Sequence, residues 1–269
     1  MLEVVNRPEY RDLSPKQIVP LLADQGEYLA SESTIYRVLH EEQQVKRREP
    51  TRPPSIKPRE LVATGPNEVW SWDITYLATM VRGQFFFLYL MLDVWSRKIV
   101  GWEVHERDDA SLAAALLNKA AAAHGVPPAQ LTMHSDNGTS MKSATMLAMM
   151  QTLGIAASFS RPHVSDDNPY SEALFRTMKY RPEYPTKPFQ TIEEALAWVA
   201  AFVAWYNEEH LHSGIRYVTP ADRHSGAAQR LLEQRQRVYD AARARNPERW
   251  IAATRNWSHV TEVVLNRAA

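Results

Sequence analysis

The stretch Val69-Trp70-Ser71-Trp72-Asp73-Ile74-Thr75-Tyr76-Leu77 has the aromatic and β-branched composition of a strand, and its centre is a carboxylate. A buried strand tolerates an ionised group there only where something positive meets it. The chain must therefore bring either a basic side chain or a cation to Asp73. Two further acids stand where they could share that duty. Asp136 follows the apolar run Leu131-Thr132-Met133, where a strand gives way to the loop residues Asn137-Gly138. Glu172 comes after 35 intervening residues, in a segment from Asn168 to Lys179 with helical spacing. Leu174 and Met178 share one face of that segment, and Glu172, Arg176 and Lys179 share another. Carboxylates delivered by separate elements suit a hard cation, because Mg²⁺ takes oxygen ligands and commonly relies on one or two carboxylates, waters and substrate phosphate oxygens.

Around these acids the residues fall into separated motifs in a fixed order. Trp72-Asp73-Ile74-Thr75-Tyr76, Leu92-Asp93-Val94-Trp95-Ser96-Arg97-Lys98-Ile99-Val100-Gly101-Trp102, His134-Ser135-Asp136-Asn137-Gly138, Asn168-Pro169-Tyr170-Ser171-Glu172-Ala173-Leu174-Phe175, Tyr206-Asn207 and Thr219-Pro220 occur in turn. Together they resemble the bacterial insertion-sequence transposases of the DDE type, the group closest to retroviral integrases, over most of the chain. The resemblance implies a ribonuclease-H-like core in which Asp73, Asp136 and Glu172 are catalytic metal ligands. It implies Mg²⁺ as cofactor, with Mn²⁺ substituting, in a two-ion arrangement bridged by Asp73. Phosphodiesters at the element's ends are then hydrolysed, and the freed 3′-OH is joined to target DNA. Double-stranded DNA, as terminal inverted repeats and target, is the implied partner of a homo-oligomer assembled on it. The residues placed to touch DNA are Ser33, Arg37, Lys46, Arg47, Arg48, Asn137, Arg176 and Lys179. Two alternatives are a DNA-binding regulator with an inactive core and a nuclease without strand transfer.

Taken singly, the same residues have ordinary readings. Glu172 and Arg176 at i, i+4 make a surface helix pair, and only the combination with Asp73 and Asp136 argues for more. Asp93 is the rival first carboxylate: a hairpin centred near Arg82-Gly83 puts it across the ladder from Asp73. Its plain reading is a turn-forming acid before Ser96-Arg97. Asp166 and Asp167 read as helix caps.

At 269 residues the chain accommodates two or three units. The expectation is a helix-turn-helix domain at 1–45, a basic Pro-rich linker at 46–64, an α/β catalytic core at 65–225 and a helical C-terminal extension at 226–269. In the first, Ser14-Pro15-Lys16-Gln17 opens a helix, with Leu13 and Ile18 as a hydrophobic staple and Pro20 predicting a kink or a late start. A second helix, Thr34 to His40, turns Glu32, Ser33 and Arg37 outward and Ile35 and Leu39 inward. The stretch 46–59 carries six bases, one acid and four prolines, an extended spacer that also adheres to phosphate.

In the core, strands fall near 68–78, 84–94 and 97–105. An Ala-rich helix from Ser111 to His124 follows, capped by Asp108 or Asp109. Next come a strand to Met133, a helix from about Ser140 to Leu153, the strand Ile155 to Ser160 and the Glu172 helix, which together make a mixed sheet flanked by helices. The loop from Arg161 to Asn168 is expected to move and to touch DNA. Further on, Trp198, Phe202 and Trp205 recur at i, i+4, i+7 as core or subunit interface, and 229–249 is a basic helical stretch.

Lys+Arg and Asp+Glu number 31 each, so DNA binding has to come from local patches rather than net charge. The lack of cysteine excludes disulfides and thiolate metal sites and fits a bacterial cytoplasm. The longest apolar run, Ala195 to Tyr206, is twelve residues, short of the roughly 18 that a membrane span needs.

Overall fold

Capping chemistry sets where the first helices begin. In the computed structural model, which describes residues 1–10, 13–44, 60–161 and 167–266, the chain divides into two units, 1–55 and 56–269. The first contains α1 (Leu2–Val5), α2 (Pro15–Asp24) and α3 (Glu32–Glu41). The Gln17 side chain accepts from the Ser14 backbone N–H at 3.0 Å, and Ser31 Oγ accepts from the Thr34 N–H at 3.3 Å. Ile18, Leu22, Ile35 and Leu39 form the unit's core with Val5 and Tyr10, and Leu13 packs against it. The predicted late start at Pro20 does not occur. Helix α2 begins at Pro15, and the donor that Pro20 lacks would have served the carbonyl of exposed Lys16, which water can reach. On α3, Glu32, Ser33 and Arg37 are exposed while Ile35 and Leu39 are buried. Lys46, Arg47 and Arg48 lie outside the described residues, as does the rest of the linker through Arg59.

The second unit runs β1 (Leu61–Ala63), β2 (Val69–Ala78), β3 (Phe85–Asp93), β4 (Ile99–His105), α4 (Ala110–Ala123), β5 (Thr132–Ser135), α5 (Ala144–Leu153), β6 (Ala156–Phe159) and α6 (Pro169–Lys179). It continues with α7 (Ile192–Glu208), α8 (Pro220–His224), α9 (Ala228–Arg245) and β7 (Val263–Leu265). Five strands form one sheet in the order β4-β3-β2-β5-β6; β2, β3 and β4 are antiparallel, and β5 and β6 run parallel to β2.

Both faces of this sheet are covered, which is why β2 and β3 read as nearly continuous apolar runs. Trp70 and Trp72, with Tyr89 and Met91, face α4 and α5; Leu77, Leu88, Leu90 and Leu92 face α6 and α7. Each fully buried side chain of this size contributes about 1.5–3 kcal/mol, so the sheet is a rigid platform for whatever its strand ends carry. The architecture is the ribonuclease-H-like mixed sheet flanked by helices.

Three expectations are corrected. Helix α5 begins at Ala144 rather than near Ser140, because Ser143 is the cap, its Oγ accepting from the Met146 N–H at 3.1 Å, while the Ser140 hydroxyl donates to Asp108. Among its described residues the 226–269 region holds α9, a single 3-10 turn at Pro247–Arg249 and the strand β7, which pairs antiparallel with β1, so it belongs to the same unit as the core. Trp95 Nε1 donates to the Thr261 carbonyl at 3.0 Å and the Tyr170 hydroxyl to that of Val264 at 2.8 Å. Asp167 is not a cap: its carboxylate accepts from the Arg161 backbone N–H at 2.8 Å and from the Arg161 guanidinium at 3.0 Å. Asp166 and the rest of the 162–166 loop, where DNA contact was expected, lie outside the described residues.

Candidate active site

Strand register decides which face each acid takes. Asp73 pairs with Leu90, on the side of the sheet covered by α6, the helix that carries Glu172. On the other flank β5 is parallel to β2 with Trp72 opposite Ser135, so the next residue of each strand is an aspartate: Asp73 and, just beyond the end of β5, Asp136. Asp93, by contrast, pairs with Trp70, not with Asp73. Partners in a ladder share a face, and an offset of three residues puts Asp93 on the opposite one.

The reason lies at the hairpin tip. Thr79 and Met80 leave β3 to meet Phe189, whose N–H donates to the Ala78 carbonyl at 2.9 Å and whose carbonyl accepts from Met80 at 3.2 Å. The turn then closes over Val81–Gln84, with Gly83 at φ +86°, a conformation suited to glycine. Asp93 is fully buried and accepts from Asn67 N–H at 2.7 Å, Ser96 N–H at 2.7 Å and Ser96 Oγ at 2.6 Å. It is the turn-forming acid of its plain reading.

Asp73 is half-buried, with Oδ1 accepting from the Ile74 N–H at 2.7 Å. Its carboxyl is pushed up to about 7, first by burial and then by the Asp136 carboxylate, with Glu172 adding to the rise. The Ile74 N–H and the Lys179 ammonium pull the other way. The three acids thus lie within electrostatic reach, although no group of three or more His, Asp or Glu side chains among the described residues is gathered closely enough to hold an ion directly. The two findings are compatible, since Coulombic coupling extends beyond ligand distance.

Asp136 is half-buried, and its Oδ1 accepts from the Gly138 N–H at 2.8 Å. A Cβ at position 138 would stand 3.1 Å from that oxygen and 3.1 Å from Met141 Sδ, which explains the glycine. The donor set is all oxygen, the type that Mg²⁺ and Mn²⁺ prefer, and Mg²⁺ commonly draws its remaining ligands from waters and substrate phosphate oxygens, so the chemistry of these residues fits a hard divalent cation.

Of the basic residues, Lys179 reaches back to the sheet, its Nζ donating to Thr75 Oγ1 at 2.7 Å, and burial lowers its ammonium's pKa. Arg176 is exposed, with its guanidinium 5.8 Å from the Tyr180 ring centroid. The Asn137 amide is turned inward: Nδ2 donates to the Ser160 carbonyl at 2.5 Å, and Oδ1 is buried with no partner among the described residues. That geometry ties the Asp136 loop to the residue that follows β6. Behind the acids lie buried polar residues to which the motifs gave no role: Ser71, His134, Asn168 and Ser171. Parity was the available signal. Ser71 and His134 stand two positions before Asp73 and Asp136, hence on the same faces of their strands.

Two models described as the integrase core domain match the chain, one over residues 63–165 and the other over 153–220. The transposase for insertion sequence element IS904 of Lactococcus lactis is 32% identical over 162 residues, covering 60% of this chain and 62% of that one. The putative transposase InsK for insertion sequence element IS150 of Escherichia coli is 26% identical over 169 residues, covering 63% and 58%. The chain therefore spans less than two thirds of the length of these curated relatives. Among solved structures it resembles a chain of the simian T-cell lymphotropic virus intasome in complex with PP2A regulatory subunit B56 gamma, with TM-score 0.51 and 18% identity over 78% of this chain and 74% of that one. At that identity the likeness is one of fold. By its integrase core, which the two models match across residues 63–220, the chain belongs to the integrase core family, and it is similar to the transposases of bacterial insertion sequences.

Proposed function

We propose that this chain cuts phosphodiesters at the ends of an insertion element and joins the resulting 3′-OH to target DNA, with Asp73, Asp136 and Glu172 as ligands for Mg²⁺, or Mn²⁺ in its place. The observation that carries the reading is the register that sets Asp73 on β2 beside Asp136 just past β5, on the face covered by α6, the helix of Glu172; burial first, and then Asp136 and Glu172, push the Asp73 carboxyl up to about 7. Such a cluster is costly by itself and becomes favourable around a cation. When bound, divalent cations would supply Lewis-acid activation of the attacking oxygen and charge stabilisation at the leaving one. The chain's own part is to hold the acids on a rigid sheet and helix and to place the scissile strand.

Ser33 and Arg37, exposed on α3, would contact the element's terminal repeats as a recognition helix does, with Lys46, Arg47 and Arg48 following the backbone. A homo-oligomer holding two ends is part of this reading. The test is an oligonucleotide carrying the element end, incubated with target DNA and Mg²⁺ or Mn²⁺. Joined product supports transposition, cleavage without joining points to a plain nuclease, and sequence-specific binding without cleavage points to a regulator.

Lys179 gives a sharper check of where DNA lies. Its ammonium donates to Thr75 and lies within electrostatic reach of Asp73, so a phosphate held at the acids would lie within its reach as well. Lys179→Ala is expected to weaken binding to all sequences alike and to make the slope of log affinity against log salt shallower by about one unit. An unchanged slope would remove Lys179 from the DNA path.

A further inference from the structure

We propose that Asn168, with Ser71, Ser171 and His134, is a positioning device: a buried polar brace that fixes the start of α6, and with it Glu172, against the two strands that carry Asp73 and Asp136. The inference rests on the metal-binding reading of those three acids.

Asn168 occupies the N-cap of α6, a place where asparagine is favoured because its side chain accepts from the helix's own first turn. Ser31, Asp109, Ser143, Thr191 and Thr219 all cap their helices in this way. Asn168 does not. Its Oδ1 accepts from Ser71 Oγ on β2 at 2.6 Å, and its Nδ2 donates to the Trp72 carbonyl at 3.4 Å. Ser71 has a single proton and spends it there, so the 2.5 Å contact with Ser171 has Ser171 as donor.

On β5 the same end of α6 is held through His134. Its Nε2 lies 2.9 Å from the Asp167 carbonyl, which can only accept, so Nε2 carries the proton and Nδ1 accepts from the Ser158 hydroxyl at 2.9 Å. Ser71, His134 and Ser171 are each 0% exposed and Asn168 is 4% exposed. Each strand thus spends one inward position on the brace, and the next position on that face is a candidate ligand.

Buried polar groups that only fill space are replaceable by apolar ones at little cost or even with gain. A fully partnered network instead specifies one geometry, and this one converges within the five residues before Glu172. Mg²⁺ demands near-ideal octahedral geometry at about 2.0–2.1 Å, a tolerance that a loosely seated helix would not meet.

The experiment uses the full chain and its Asn168→Ala, Ser171→Ala and Asp73→Asn variants. Mn²⁺ binding is read by paramagnetic resonance without DNA, folding by thermal unfolding, and the first turn of α6 by amide hydrogen exchange. Asn168→Ala is expected to lower Mn²⁺ affinity by about 10- to 100-fold, the usual effect of removing a group that orients metal ligands. First-turn amides should exchange faster, with DNA affinity in chelator unchanged. Ser171→Ala, which removes one hydroxyl, moves in the same direction by less and decides the matter should Asn168→Ala fail to fold. Mn²⁺ affinity equal to that of the unmutated chain in folded variants overturns the positioning role. Absence of any Mn²⁺ binding that Asp73→Asn abolishes overturns the metal reading itself, and the brace with it.

Discussion

Glu172→Gln is expected to abolish cleavage and joining together while leaving the fold and DNA affinity in place. The substitution keeps the size of an exposed side chain on α6 and removes only its charge, so any loss is chemical rather than structural. Cation ligation contributes several kcal/mol to charge stabilisation in such transition states. At about 1.4 kcal/mol per decade, this is a rate loss on the order of a thousandfold or more. Asp73→Asn and Asp136→Asn are expected to match it. Asp93→Asn is the contrasting control: it disrupts a buried acceptor of three hydrogen bonds, so it lowers the unfolding midpoint and spares the chemistry of molecules that remain folded. Turnover by Glu172→Gln at a near-normal rate in Mg²⁺ would strip Glu172 of its assignment. A folded but inactive Asp93→Asn would reopen the rival.

Asp73→Asn, for all its expected cost to activity, should stabilise the metal-free protein at pH 8. The folded-state carboxyl sits near 7 against an ordinary value of 3.8, so between those values the folded state holds more protons than the unfolded one, and stability falls as pH rises. Below about pH 4 the acid is neutral in both states and contributes no penalty. Above about 7 the penalty is complete. A tenfold weakening of the acid is worth about 1.4 kcal/mol, so the rise from 3.8 to about 7 sets a ceiling of about 4 kcal/mol. Urea unfolding in chelator should therefore show the variant and the unmutated chain equal at low pH and separated at pH 8. Saturating Mg²⁺ should close the gap by stabilising the unmutated chain alone. Equal stabilities at pH 8 would mean that neither burial nor the neighbouring acids burden the Asp73 carboxylate, and the reading of the cluster would fail.

Strand content and the two covered faces were legible because Trp70, Trp72 and the apolar run of β3 can only be buried, and the helix starts because Ser14 and Ser31 are capping residues. Register was not legible. Centring the hairpin on Gly83 placed Asp93 opposite Asp73, but Phe189, more than a hundred residues later in the chain, draws Thr79 and Met80 out of the ladder and shifts the pairing by three. No local signal carries that. Motif order singled out Asp73, Asp136 and Glu172, which the structure sets within electrostatic reach of one another, whereas the buried polar residues behind them were not visible. Serine, histidine and asparagine on a strand or before a helix have common local uses, and Asn168 in particular reads as an ordinary cap until its amide is seen to point across the sheet. The role of the last residues was also hidden, since Val263-Val264-Leu265 is too short to announce its partner.

The pairing of β1 with β7 sets a schedule for synthesis. Leu61 lies opposite Leu265, roughly two hundred positions later, and the side chains of β7 close over Ala63, Val69, Val94 and Trp95. Contacts of such long range form late, after the entropy of closing the intervening loop has been met. A chain still on the ribosome is therefore expected to hold a five-stranded sheet whose flank beside Trp95 and Tyr170 stays open until β7 emerges. Nascent chains stalled before residue 257 should be cut by protease near β1 and the start of α6, and those released after Leu265 should resist; equal resistance at both lengths would show that the sheet closes without its last strand.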